Sequence, residues 1–76
     1  MLTLDKIEPG TMTRIVSNKA TGNVRRRIMD MGLLPGVSLE MVRRAPLGDP
    51  LEVVVKGYHL SLRKSEARLI VVEVPE

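Results

Sequence analysis

The 76-residue sequence has no cysteine, tryptophan or phenylalanine, one tyrosine (Tyr58) and one histidine (His59). Without cysteine there is no disulfide scaffold, no thiolate metal site and no cysteine nucleophile. With a single aromatic ring, nucleic-acid recognition by base stacking is excluded as a main mode. Long apolar stretches are also missing: the longest run is Leu69 to Val72, far short of a membrane span, and the first ten residues carry Asp5 and Glu8 where a targeting segment would be basic and apolar. These absences predict a cytoplasmic protein that does not insert into a membrane. The six glycines stand singly and none opens a helix after a strand, so the glycine patterns that cradle phosphates are lacking.

What is present is aliphatic and mildly basic. Hydrophobic residues make up 43% and charged residues 28% of the chain, within the range of ordinary globular domains. Val, Leu, Ile and Met must therefore supply the core energy. A chain this short buries only about 60% of its unfolded surface, so residues 1–76 read as one domain. The net charge of +3 is too small to imply a polyanionic partner, but its distribution is uneven. Between Arg14 and Arg44 seven basic residues face two acidic ones, Asp30 and Glu40, whereas from Ala45 onward four basic face five acidic.

Turn residues punctuate the chain at strand-like intervals. Residues 2–8 predict one helical turn capped by Thr3 and stopped by Pro9-Gly10, and Thr11 to Val16 a first strand, with Asn18 to Gly22 as loop. Val24, Ile28 and Met31 then recur at helical spacing, which predicts a short helix with Asn23 as N-cap, Gly32 as the glycine past its end and a buried stripe formed by those three residues. Arg26 and Asp30 stand four apart as an ion pair on that helix. Leu34-Pro35-Gly36 predicts a type II turn with Gly36 at positive φ. Three alternating segments follow, on Val37/Leu39/Met41, Leu51/Val53/Val55 and Tyr58/Leu60/Leu62, with a tight hairpin at Gly57 and the Ala45 to Pro50 loop between the first two. Ser65-Glu66-Ala67 predicts a single helical turn, and Leu69 to Val74 the last strand. The fold class is mostly β: a small, five-stranded, partly open barrel with one short α-helix.

Catalytic chemistry finds little to use. His59 shares a strand face with Ser61 and Arg63, but no acidic residue in that segment orients the ring, and the face reads as solvated. One histidine and no cysteine predict neither a tightly held metal nor a cofactor; only weak metal contact at an exposed His59 is compatible with this composition. Met12, Met29, Met31 and Met41 are dispersed and read as gap-fillers of the core rather than soft ligands. The densest charge feature is Arg25-Arg26-Arg27, which spreads over roughly 200° of a helix, so at most two of these side chains share a face. With the helix stripe accounted for, Arg26, Met29, Asp30, Leu33 and Leu34 remain as a candidate partner-binding patch, since interface cores favour Met and Arg. Its competitor is a solvated helix face whose Met29 merely covers an open barrel end.

The order of the pieces RRRIMDMGLLPG (25–36), RRAPLGDPLEVVVKGYHLSLRKSEA (43–67) and LIVVEV (69–74) resembles the FeoA family of ferrous-iron transport proteins. Met31-Gly32-Leu33, Pro35-Gly36, Ala45 to Pro50, Gly57, Leu62-Arg63 and Ile70-Val71-Val72 stand in that family's order and spacing. The resemblance implies an SH3-like barrel, without enzymatic activity, acting with the cytosolic part of the membrane transporter FeoB. Any self-association would be weak. A similar barrel ends some iron-dependent repressors, but this chain begins at Met1 and has no helix-turn-helix segment, which favours a stand-alone protein. The loop Ser17 to Gly22 is short and generic, so no loop contacts carry over. The rival readings are a repressor-type regulatory domain and a nucleic-acid-binding barrel using Arg25 to Arg27 and Arg43-Arg44, although no nucleic-acid partner is expected.

Overall fold

Alternation of buried and exposed residues builds the frame. The computed structural model describes residues 1–75. Five strands, β1 (Met12–Asn18), β2 (Ser38–Arg44), β3 (Leu51–Val55), β4 (Tyr58–Leu62) and β5 (Ile70–Glu73), form one antiparallel sheet in the order β4-β3-β2-β1-β5. A 3-10 turn spans Leu4–Lys6, helix α1 spans Gly22–Asp30 between β1 and β2, and the single-turn helix α2 spans Lys64–Ala67 between β4 and β5. The sheet curls without closing. Register shifts between Ile15 and Ser17 against β5, and between Met41 and Arg43 against β3, insert an extra residue in β1 and β2 and increase their bend.

The core is aliphatic, as the composition requires. Ile15, Leu39, Met41, Leu51, Val53, Val55, Leu62, Ile70 and Val72 project from the strands into one cluster, joined by Leu4 and Ile7 from the N-terminal turn, Ile28 from α1 and Ala67 from α2. The alternating segments read from the sequence place their residues there, with Val37 and Leu60 half-buried at the margin, except Tyr58, which is exposed. Met41 fills the core as expected, but Met12 and Met29 are exposed and Met31 only partly buried.

Several local expectations change. Thr3 occupies the N-cap position of the first turn without capping it; its hydroxyl donates to the Asp5 carboxylate instead. β1 runs on to Asn18, and α1 starts at Gly22 with Thr21, not Asn23, in the N-cap position. Only Ile28 of α1 is buried; Val24, expected in the core stripe, is 42% exposed. The helix is too short to bury a longer stripe, and its apolar contact continues past its end. Gly32, at φ +86°, ends α1 by turning the chain back: its N–H donates to Met29 O (2.9 Å) and the Leu33 N–H to Ile28 O (3.3 Å). This paired closure carries the next residue, Leu33, fully into the core. The following turn forms as predicted, with Gly36 at φ +91° and the Val37 N–H donating to Leu34 O at 3.0 Å. β3 and β4 are joined by Lys56-Gly57 with both residues at positive φ, the geometry of a two-residue hairpin.

Candidate interaction surface on α1

Buried and half-buried polar contacts fix α1 on the barrel. Asn18, buried at the end of β1, accepts the Ala20 N–H on its side-chain oxygen (2.9 Å) and donates from Nδ2 to Arg25 O (3.4 Å). Arg25 returns the contact, its Nη1 donating to Asn18 O at 2.6 Å. From the other side, Arg27 Nη1 lies 3.2 Å from Glu66 Oε2 on α2. Glu66 is buried, and its Oε1 accepts the Arg63 N–H at 3.0 Å, capping α2 as it receives Arg27. Finally, the Tyr58 hydroxyl donates to Met31 O (3.3 Å) at the C-terminal end of α1.

These contacts divide the arginine triplet. Arg25 and Arg27 are engaged in the fold, whereas among the described residues the Arg26 side chain has neither an ion pair nor a hydrogen bond. The expected Arg26–Asp30 pair is not formed among the described residues; the ion pair of this helix joins Arg27 to Glu66. Gly22, Arg25, Arg26, Met29 and Asp30 line a shallow depression of about 280 Å³. Their spacing of three and four residues is that of one outward stripe along a helix. A cation and a carboxylate that are unpaired among the described residues therefore lie together with a methionine that is 40% exposed, and Gly22, which has no side chain, borders one end. Leu34 is also 40% exposed in the turn beyond, but it does not line the depression. Leu33 leaves the expected patch altogether, because the turn after Gly32 buries it.

His59 is exposed, as expected, but not alone. Its Nδ1 lies 2.8 Å from Glu52 Oε2 on β3, and Glu52 Oε1 lies 3.3 Å from Arg43 Nε on β2. The carboxylate sought in the histidine's own segment sits one strand away, diagonally across the sheet, where only the register of β3 against β4 reveals it. Among the described residues no three His, Asp or Glu side chains converge as metal ligands.

Residues 2–74 match the family model of the FeoA domain. This chain belongs to the FeoA domain family. Among curated proteins it is similar to the Fe(2+) transport protein A/Fe(2+) transporter FeoB fusion protein of Porphyromonas gingivalis, at 35% identity over 71 residues. That match covers 93% of this chain but only 8% of the fusion protein. The solution structure of iron(II) transport protein A from Clostridium thermocellum superposes with a TM-score of 0.92 at 38% identity, covering 96% of this chain and 45% of that one. The zinc complex of Stenotrophomonas maltophilia FeoA, described as a prokaryotic SH3 domain protein, gives a TM-score of 0.84 at 31% identity over 96% of this chain and 91% of its own. The FeoA relationship thus identifies the barrel as SH3-like, with α1 carried between the first two strands.

Proposed function

We propose that this chain is an accessory protein of bacterial ferrous-iron uptake that works in the cytoplasm by docking on the cytosolic part of a FeoB-type transporter, with no catalytic step of its own. The observation that carries this reading is the Porphyromonas gingivalis protein, in which a segment similar to this chain shares one polypeptide with FeoB. Joining two modules raises their local concentration to about the millimolar range, which favours an association that is weak between separate chains. The α1 stripe supplies a suitable contact: Met29 offers apolar area, and Arg26 and Asp30 offer opposite charges that have no ion-pair partner among the described residues. A nucleic-acid role is less well supported, since two of the three clustered arginines are already committed to Asn18 and Glu66. No described helix is long and apolar enough to cross a membrane.

The reading is tested by measuring binding of the full chain to the soluble cytosolic domain of a FeoB-type transporter, with and without guanine nucleotide. Arg26→Glu and Met29→Asp, each checked for an unchanged circular dichroism spectrum, are expected to weaken binding by at least about tenfold, since truncating a central interface anchor commonly costs more than 1 kcal/mol. Parental affinity in both variants would move the contact away from α1. No binding by the parent in any nucleotide state would remove the docking reading itself.

A further inference from the structure

The two outer strands of the sheet end differently. The free edge of β5 is occupied by the start of the chain: the Val72 N–H donates to Leu2 O at 2.9 Å, and Thr3 bridges Val71 in antiparallel fashion. Among the described residues β4 pairs with β3 alone. With Tyr58 opposite Val55 across a two-residue turn, Tyr58, Leu60 and Leu62 direct their backbone groups to β3, and those of His59 and Ser61 point away from the sheet. The next N–H in that outward series, on Arg63, is taken by Glu66. Two N–H and two C=O groups are thus left on a short open window.

The strand and turn residues of this window carry only cations, and the two carboxylates beside it are engaged within the fold, Glu52 with His59 and Arg43 and Asp49 with the Lys64 N–H. From Lys56 to Lys64 there is no acidic residue, and among the described residues Lys56, Arg63 and Lys64 have no ion-pair partner. Such cations oppose self-pairing: an antiparallel match of two β4 strands about Leu60 would set Lys64 of each copy opposite Lys56 of the other. On the core side of the strand, Tyr58 is 45% exposed and Leu60 only half-buried, leaving apolar surface for a further strand to cover.

We propose that the β4 edge accepts an extended segment of another protein in which apolar and acidic residues alternate. Its backbone pairs with His59 and Ser61, its apolar side chains cover Tyr58 and Leu60, and its carboxylates face Arg63 and the neighbouring lysines. This surface is separate from the α1 stripe and does not depend on it.

The test uses the isotopically labelled full chain, titrated with a short blocked peptide alternating Val and Glu and with its Val/Lys counterpart. The expected result is saturable binding of the Val/Glu peptide, with amide exchange at His59 and Ser61 slowed by about tenfold or more, and binding of the Val/Lys peptide weaker by about tenfold. Ser61→Pro deletes one outward N–H while leaving the ladder to β3 intact, and is expected to weaken binding by about tenfold. Arg63→Glu, which keeps every backbone contact, is expected to weaken it several-fold and serves if the proline variant does not fold. Absence of saturable binding, equal binding of the two peptides, or shifts centred on Arg26 and Met29 instead of β4 would overturn the proposal. So would self-association abolished by Ser61→Pro without peptide binding, which would assign the edge to a second copy.

Discussion

Gly32 and Gly36 form a matched pair for separating backbone strain from steric contact. Both hold a left-handed backbone, at φ +86° and +91°. A Cβ at Gly32 would stand 3.1 Å from the Tyr58 hydroxyl oxygen, whereas one at Gly36 would have no neighbour within 4 Å. Alanine at either position should cost about 1–2 kcal/mol for the backbone conformation. At Gly32 the new methyl also displaces the half-exposed Tyr58 ring, whose hydroxyl bond to Met31 O contributes about 0.5–1 kcal/mol. Gly36→Ala is therefore expected to destabilise by ~1–2 kcal/mol and Gly32→Ala by ~1.5–3 kcal/mol. For a domain of this size the difference corresponds to roughly 2–8 °C in melting temperature, large enough for thermal and urea unfolding followed by circular dichroism. In a Tyr58→Ala background the two alanine variants should converge. Equal destabilisation in the parent, or a gap that survives removal of the tyrosine, would refute the assignment of the extra cost to the ring.

Asn18→Ala should destabilise by about 1–2 kcal/mol in urea titration, because it removes the buried side chain that receives the Ala20 N–H and reaches α1 through Arg25 O. Glu66→Ala should cost about 1–3 kcal/mol by leaving the Arg63 N–H without its acceptor, and Glu66→Gln, which keeps an acceptor oxygen, should cost less; equal losses in the two variants would place the effect on the pairing with Arg27. Elemental analysis of the dialysed protein is expected to find no stoichiometric iron, and one iron per chain that disappears in His59→Ala would contradict that expectation.

The strands could be read from the sequence because period-two alternation is a local property: Leu51, Val53 and Val55 state the buried face of β3 whatever lies beside it. The C-terminal end of α1 was equally visible, since Gly32 meets a backbone requirement few other residues satisfy. Leu33 was misplaced because it lies outside the Val24/Ile28/Met31 stripe that was assigned to the core; the signal that would have corrected it is the apolar residue directly after a helix-ending glycine, which usually packs back on the helix. Partners depending on register or on distant segments were not visible. Glu52 meets His59 only because β3 and β4 pair as they do, and Arg27 finds Glu66 only because the fold brings α2 within reach of it. The candidate stripe was half legible: Arg26, Met29 and Asp30 were named from helix geometry, but Gly22 was not, because the helix begins a residue earlier than the expected Asn23 cap, and Arg25 was seen only as one of the arginine triplet.

The short N-terminal segment lying along β5 also bears on how the protein behaves at high concentration. A sheet with two bare edges can grow without end, each copy offering one edge to the next, and that is the geometry of aggregation. Here the Leu2 carbonyl and Thr3 already fill the place where another molecule's β4 would add to β5. Head-to-tail growth thus has nowhere to continue, and the one remaining edge is guarded by lysine and arginine. Leu2 and Thr3 thereby act as a chain terminator, and their removal is expected to bare the β5 edge for addition of a further strand.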